Sequence, residues 1–231
     1  MKVAFSWDDG ALEDLKLFEL HEKYEIPAIF FVPSYNSEGR EVLPAKDISG
    51  NKSELISFGG HTKSHRYLTR INPQEVDEEI LSNKIYLEDI LGEEVPHFCL
   101  PGGAYDDEIL KAAYAHFKTV RSADTMNFRK PIDICKPSIH MFKRGNKSLF
   151  GNALRNMNIK DALFVLSHYT TDYFDNVYSI LKRHSSDNST IVIWGHSWEL
   201  EKYELWNQVE AMMKYFLTDR ESIVKYDEIF R

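Results

Sequence analysis

The chain has 231 residues, enough for one sizeable core, and the expectation is a single domain over residues 1–231. A hydrophobic share of 43% and a charged share of 28% are those of an ordinary soluble globule. The net charge of −8, without a dense Lys/Arg block, speaks against nucleic acid and against anionic membrane surfaces as partners.

A membrane-spanning helix needs about 18 apolar residues in a row, and the sequence has no such run. The N-terminus shows neither an n-region nor an h-region, because Asp8 and Asp9 follow at once. Two cysteines, Cys99 and Cys135, form no disulfide framework. Together these features predict a cytoplasmic protein.

In chain order, the apolar run Val3 to Phe5 reads as a buried strand that leads into Asp8-Asp9-Gly10, with the glycine as its turn. Leu12 to Tyr24 carries a broad apolar face and predicts a helix. Residues 28–32, between Pro27 and Pro33, are a second buried strand. The polar stretch 34–51 is a loop, with a short helix near Lys52 to Leu55, and Leu55 to Phe58 is a third strand delivering Gly59-Gly60-His61. Asn72-Pro73-Gln74-Glu75 is a helix start, and that helix runs to Gly92 as its C-cap. Val95 to Leu100 is a strand ending at Pro101-Gly102-Gly103. A helix over 107–117 and a strand over 118–122 follow. Residues 124–148 read as irregular. Ile159 to His184 is largely helical, with Tyr169-Thr170-Thr171 as an interruption. Thr190 to Trp194 is a strand ending at Gly195-His196, and Leu205 to Leu217 is the last helix. The repeated β-α-β order predicts an α/β fold of parallel strands with helices packed outside.

Four polar clusters stand just after strands: Asp8-Asp9, His61 with His65, Gly102-Gly103, and His196. In a parallel barrel the strand C-termini open on one face, so these residues are expected to share one mouth. A strand end splays neighbouring side chains, so Asp8 and Asp9 can take different jobs, one on a cation and one on a proton. An Asp with an HxxxH pair offers one oxygen and two imidazoles, a set suited to zinc or a similar divalent ion.

These residues carry a resemblance. Ser6-Trp7-Asp8-Asp9-Gly10 resembles the T-F-D-D-G motif of the polysaccharide deacetylases, the NodB-like carbohydrate esterases of family 4. His61-Thr62-Lys63-Ser64-His65 is similar to their H-[ST]-x-x-H motif, and residues 98–103 and 121–128 to their third and fourth motifs. Ile193-Trp194-Gly195-His196 resembles the last, an apolar strand ending in His. The likeness covers about residues 2–200. It implies a distorted, seven-stranded (β/α) barrel and metal-assisted removal of an N-acetyl group from an amino sugar or glycan precursor. Carried over by position, Asp9, His61 and His65 hold the metal, with zinc foremost and cobalt, nickel or manganese as alternatives. Asp8 is then the general base acting on a metal-bound water, His196 the general acid for the leaving amine, and the Gly102 N–H an oxyanion donor.

Three positions depart from the family pattern. The third-motif Arg that orients the catalytic Asp falls on Cys99, the fourth-motif Asp that supports the catalytic His on Asn127, and the fourth-motif Trp positions on Arg121 and Phe128. Arg121 follows a neighbouring strand and is expected to replace the missing Arg, gripping Asp8 through both guanidinium nitrogens. Asn127 carries no charge to give His196, and Glu199 and Asp124 are both candidates to compensate.

Trp198, Tyr203, Tyr105 and Tyr67 lie close to the motifs, where an aromatic face can stack on a sugar or pack the rim. Trp198 is the aromatic assigned to substrate binding. Without an export signal, a soluble sugar, sugar nucleotide or lipid-linked precursor fits better than finished cell wall. Two rivals remain: a cyclic-amide hydrolase of the allantoinase type, and a carbohydrate-binding domain with little or no turnover.

Overall fold

The structure is a computed structural model that describes residues 1–168, 170, 172–185 and 188–231. The strands are β1 (Lys2–Asp8), β2 (Ala28–Val32), β3 (Ile56–Gly60), β4 (His97–Cys99), β5 (Thr119–Arg121), β6 (Ile134–Cys135), β7 (Ile139–His140) and β8 (Thr190–His196). They form one curled sheet in the order β6-β5-β4-β3-β2-β1-β8-β7, and every pairing is parallel. The helices are α1 (Asp14–Tyr24), α2 (Ala45–Asn51), α3 (Pro73–Leu91), α4 (Asp107–His116), α5 (Asn146–Arg155), α6 (Ile159–Ser167), α7 (Tyr173–His184), α8 (Ser197–Lys202) and α9 (Trp206–Leu217). This is the distorted (β/α) barrel that the motifs imply.

Eight strands stand where seven were expected, and the reason is local. β6 and β7 are two pieces of one stretch, residues 134–140, separated by Lys136, Pro137 and Ser138. Its first piece pairs with β5 and its second with β8, so one short stretch touches both edges of the sheet. Proline donates no backbone N–H, which interrupts the ladder between the two pieces.

Alternation along the strands separates two apolar layers. Val3, Phe5 and Trp7 of β1 join the large cluster under the helices, whereas Ala4 joins a smaller inner cluster with Ile29, Phe31, Cys99, Cys135 and Val192. Tyr226 and Ile229, from the C-terminal 3-10 segment Tyr226–Phe230, complete the inner cluster. The same period of two puts Asp8 on the inner face, along with Cys99 of β4 and Arg121 of β5.

Several boundaries differ from the sequence expectation. The short helix near Lys52 to Leu55 forms earlier, as α2, with Pro44 as its N-cap. The stretch 124–148, expected to be irregular, contains β6, β7 and the start of α5. The helical region from Ile159 is two helices, α6 and α7. Of the expected interruption between them, Thr170 is described, while Tyr169 and Thr171 lie outside the described residues.

Candidate active site

β1 carries Asp8 to the mouth of the barrel as its last residue, in register with Phe31 of β2 and His196 of β8. The chain then turns through Asp9 at φ 79 and Gly10 at φ 59, both left-handed. That turn keeps both carboxylates at one place instead of on opposite faces. A Cβ on Gly10 would sit 2.5 Å from Cγ1 of Val32, so a side chain is excluded there.

The His61–His65 turn is held from outside by α3. Glu79 accepts from the Ser64 N–H at 2.9 Å and from the Ser64 hydroxyl at 2.7 Å. Asn83, one helical turn later, accepts from the His61 N–H at 2.7 Å and donates to the Val32 carbonyl at 3.1 Å. Both are buried. These bonds offset the cost of the left-handed φ at Thr62 (65°) and His65 (60°).

Three donor atoms converge at the centre. Asp9 Oδ1 lies 3.4 Å from His61 Nε2 and 2.9 Å from His65 Nε2. Asp9 Oδ2 is already engaged, accepting from Arg40 Nη1 at 3.0 Å and from the Trp198 indole N–H at 2.8 Å. Oδ1, by contrast, is buried without a hydrogen-bond donor. His61 Nδ1 lies 2.7 Å from the Cys99 carbonyl, which only accepts, so Nδ1 carries the proton and the Nε2 lone pair is turned toward Asp9. One carboxylate oxygen and two ring nitrogens thus face a common point, and the set fits a divalent cation. Burial alone would raise the Asp9 pKa, yet the surrounding imidazoles, His196 foremost, hold it well below the carboxylate range.

Asp8 is served by other partners. Arg121 Nη2 donates to its Oδ1, and the Cys99 thiol lies 3.5 Å from its Oδ2. Arg121 is fully buried, with its guanidinium over the rings of Phe31 and Trp194. Its Nη1 donates to the Ser122 carbonyl at 3.1 Å instead of to Asp8. The two-nitrogen grip expected from sequence is therefore replaced by a single contact, because the second nitrogen is spent on the backbone. Burial opposes the Arg121 charge, but the Asp8 carboxylate outweighs it and pushes the pKa above its ordinary value. Burial also raises the Cys99 thiol well above its usual range, so it remains protonated.

His196 lies opposite, with Nε2 3.9 Å from Asp9 Oδ1 and Nδ1 2.6 Å from Glu199 Oε2. Glu199 sits on α8, three residues on, so the helix that follows β8 returns a carboxylate to the ring. The same oxygen lies 3.0 Å from Nε2 of the buried His140. Arg144 Nε donates to His140 Nδ1 at 3.1 Å, which makes Nε2 the protonated nitrogen facing Glu199. Burial lowers His140 to about 4. Burial works against Glu199 ionising, but the two imidazole hydrogen bonds pull it to about 2. Burial likewise opposes charge on His196. The Asp9 carboxylate and the Glu199 bond overcome it and lift His196 to about 9.

Asp124, the other candidate partner for His196, instead lies 3.7 Å from Lys136 and 3.8 Å from Arg155. Asn127 accepts from the Arg129 N–H and does not line the cleft. The cleft has a volume of about 500 Å³, and Asp8, Asp9, His61, His65, Gly102, His196 and Trp198 all line it. Gly102 sits at φ 64 against Tyr67, whose ring atom would lie 2.5 Å from an added Cβ. Trp198 reaches the cleft with its indole N–H on Asp9 and one ring face covered by the Arg40 guanidinium, 4.0 Å from the centroid.

Sequence reasoning missed Arg40, His140, Arg144, Glu79 and Asn83. Glu79 and Asn83 carried a usable signal, polar residues four apart on the face of α3 that holds Val76, Ile80 and Leu87. Arg40 and Arg144 sit in loops, where periodicity says nothing.

The sequence profile described as polysaccharide deacetylase matches residues 1–119. The Bacillus subtilis (strain 168) protein YxkH, a polysaccharide deacetylase by name, is 24% identical over 112 residues. That alignment covers 48% of this chain and 40% of YxkH, so the chain spans well under half the length of this relative. Among solved structures, a family 4 acetyl xylan esterase from Clostridium thermocellum, in complex with a cobalt ion, superposes with a TM-score of 0.60. Identity is 14%, covering 100% of this chain and 90% of that one. The Xyl-CE4 domain of a xylanase from the hindgut metagenome of Trinervitermes trinervoides superposes with a TM-score of 0.56. Identity is again 14%, covering 99% and 88%. At these identities the structures show a common fold. The profile spans just over half the chain and includes Asp8, Asp9, His61, His65 and Gly102, and on that match the chain belongs to the polysaccharide deacetylase family.

Proposed function

We propose that the protein is a metal-dependent hydrolase that removes the N-acetyl group from an amino sugar or a glycan precursor. The observation that carries this reading is the buried Asp9 Oδ1, without a hydrogen-bond donor, facing the ring nitrogens of His61 and His65. These three residues hold the divalent ion, with zinc foremost. When bound, such an ion lowers the pKa of water toward about 7 and polarises an amide carbonyl.

The remaining work falls to the chain's own groups. Asp8 takes a proton from the attacking water at Oδ2, the oxygen not bonded to Arg121. Arg121 fixes the Asp8 carboxylate and keeps a counter-charge beside it. His196 gives a proton from Nε2 to the departing amine, since Nδ1 is committed to Glu199. Glu199 orients the ring and stabilises its protonated form. The Gly102 backbone N–H at the cleft wall is the oxyanion donor, worth about 3 kcal/mol in comparable sites. Trp198 and Arg40 bound the cleft beside Asp9, where the substrate ring enters.

The test pairs elemental analysis of the purified protein with acetate release from a panel of N-acetylated sugars, sugar nucleotides and glycan oligomers. One bound divalent ion per chain and acetate release abolished by chelation are expected. A metal-loaded protein that binds sugars yet releases acetate from none would overturn the reading in favour of a binding domain.

A further inference from the structure

The segment 141–168, between β7 and α7, differs in character from the rest of the chain. It contains α5 and α6, which pack on one another. An ordinary surface helix is apolar on one side only. α6 buries Ala162 and Val165, yet on its other side Ile159, Leu163 and Leu166, at i, i+4 and i+7, are about 60% exposed. Leu154 and Met157, at the end of α5 and just after it, are exposed as well, Met157 by 76%. Large aliphatic side chains in contiguous exposure mark a contact surface.

Charge says what the contact is. The segment carries the exposed cations Lys143, Arg144, Lys147, Arg155 and Lys160. Its single acid, Asp161, is buried and paired with Arg183 and His184. Among the described residues, Lys143, Arg144, Lys147 and Lys160 pair with no carboxylate. A chain of net charge −8 thus has a basic segment, which the whole-chain value conceals.

We propose that the α5–α6 pair docks on an anionic lipid surface, with its aliphatic side chains in the headgroup boundary and its cations on the lipid phosphates. A second copy on the same patch would bring these cations face to face. The concavity beside Leu163 and Leu166 is broad and open to solvent, a form that suits a wide contact surface such as a bilayer boundary. No described helix is long and apolar enough to cross a membrane, so the contact is with the interface alone. Arg144, Asn152 and Arg155 also line the catalytic cleft, so docking sets its mouth at headgroup level. The proposal does not depend on the hydrolase reading.

The experiment is co-sedimentation of the intact protein with vesicles of phosphatidylcholine, with and without phosphatidylglycerol. Binding to the anionic vesicles, weakened by salt and absent from pure phosphatidylcholine, is expected. The double variant Leu163→Ser/Leu166→Ser should lose that binding. Lys147→Glu/Lys160→Glu should weaken it by about fivefold or more for each cation removed. Thermal melting checks that both variants fold. Absence of binding to anionic vesicles overturns the proposal, as does equal binding by both variants. A dimer in solution that Leu163→Ser/Leu166→Ser dissociates, without vesicle binding, would assign the patch to a second copy instead.

Discussion

Cys99 and Arg121 face each other across the β4–β5 pairing, in direct register. By the motif resemblance the family's arginine position falls on Cys99, while in the structure a guanidinium reaches Asp8 from the neighbouring strand. A barrel tolerates such an exchange because adjacent strands deliver side chains to the same inner face. The consequence is an arginine held by one contact to Asp8 and one to the Ser122 carbonyl.

Replacing Arg121 therefore has two effects. Arg121→Ala leaves a buried carboxylate unpaired and should destabilise the protein by about 3–5 kcal/mol. It should also lower turnover without releasing the bound ion. Arg121→Lys should recover part of both losses, because a single contact to Asp8 is within reach of an ammonium group, but it gives up the bond to Ser122. Denaturant titration and metal content measured on both variants check this. Wild-type stability in Arg121→Ala would contradict it.

Glu199→Gln should remove the charge beside His196 while keeping the metal donors. We expect turnover to fall by about 10²-fold or more, within the range for a disabled acid catalyst. The alkaline limb of the pH–rate profile should move to lower pH, since part of what lifts His196 is lost. Asn127→Asp should restore nothing, because Asn127 does not line the cleft. Full rescue by Asn127→Asp in the Glu199→Gln background would show that the wrong carboxylate has been assigned.

Asp8→Asn and the metal-donor variants should separate cleanly. Asp8→Asn should retain the ion and lose about 10²- to 10⁴-fold in turnover. His61→Ala and His65→Ala should each lose the ion while remaining folded. Elemental analysis after desalting distinguishes the two classes. An Asp8→Asn protein stripped of its ion would mean that the two aspartates exchange roles.

Stability should depend on pH from both sides in the metal-free protein. Burial lowers His140, and also His21, a buried residue of α1 that accepts from the Trp7 indole N–H, from 6.5 to about 4, and imidazole bonds lower Glu199 from 4.5 to about 2 against burial. Each folded value lies below the unfolded one, so each contribution is full above the unfolded pKa and lost as pH falls through the folded one. The histidines lose theirs between 6.5 and 4, and Glu199 between 4.5 and 2. His196 runs the other way. Raised from 6.5 to about 9, its contribution is full below 6.5 and lost as pH rises through about 9. The melting temperature of metal-stripped protein should peak at about pH 6 to 7. A steady rise from neutral to alkaline pH would refute the assignment of His196.

Most of the fold was legible because each strand is a short apolar run bounded by turn residues, and each clear helix has a cap or an apolar face. The pieces 134–135 and 139–140 were not, since two-residue strands carry no periodicity and their pairing depends on distant edges. At the site, the Asp8-Asp9 pair and the His61–His65 spacing marked a candidate cation set, while the choice of Asp9 over Asp8 as its carboxylate came only from the motif resemblance. The partner of His196 was undecided between Glu199 and Asp124, although Glu199 stands three residues on, at helical spacing. What resolves the pair is the direction in which α8 leaves β8, a tertiary fact. The single-nitrogen contact of Arg121 was invisible for a similar reason: the claim of the Ser122 carbonyl on the other nitrogen appears only once the strand ends.

The stretch 134–140, which touches both sheet edges, has a bearing on the order of assembly. The candidate cation donors Asp9, His61 and His65 all lie within the first 65 residues, just after β1 and β3, which flank β2 and are linked through it by local crossovers. His140, His196 and Glu199 belong to the part of the chain that joins β1 only when Lys2 meets Thr190. Joining such distant segments carries a large loop-closure entropy, so it is the slow kind of contact in folding. The barrel is thus made of an early half that brings Asp9, His61 and His65 together and a late half that adds His140, His196 and Glu199. A chain caught before closure holds the first without the second.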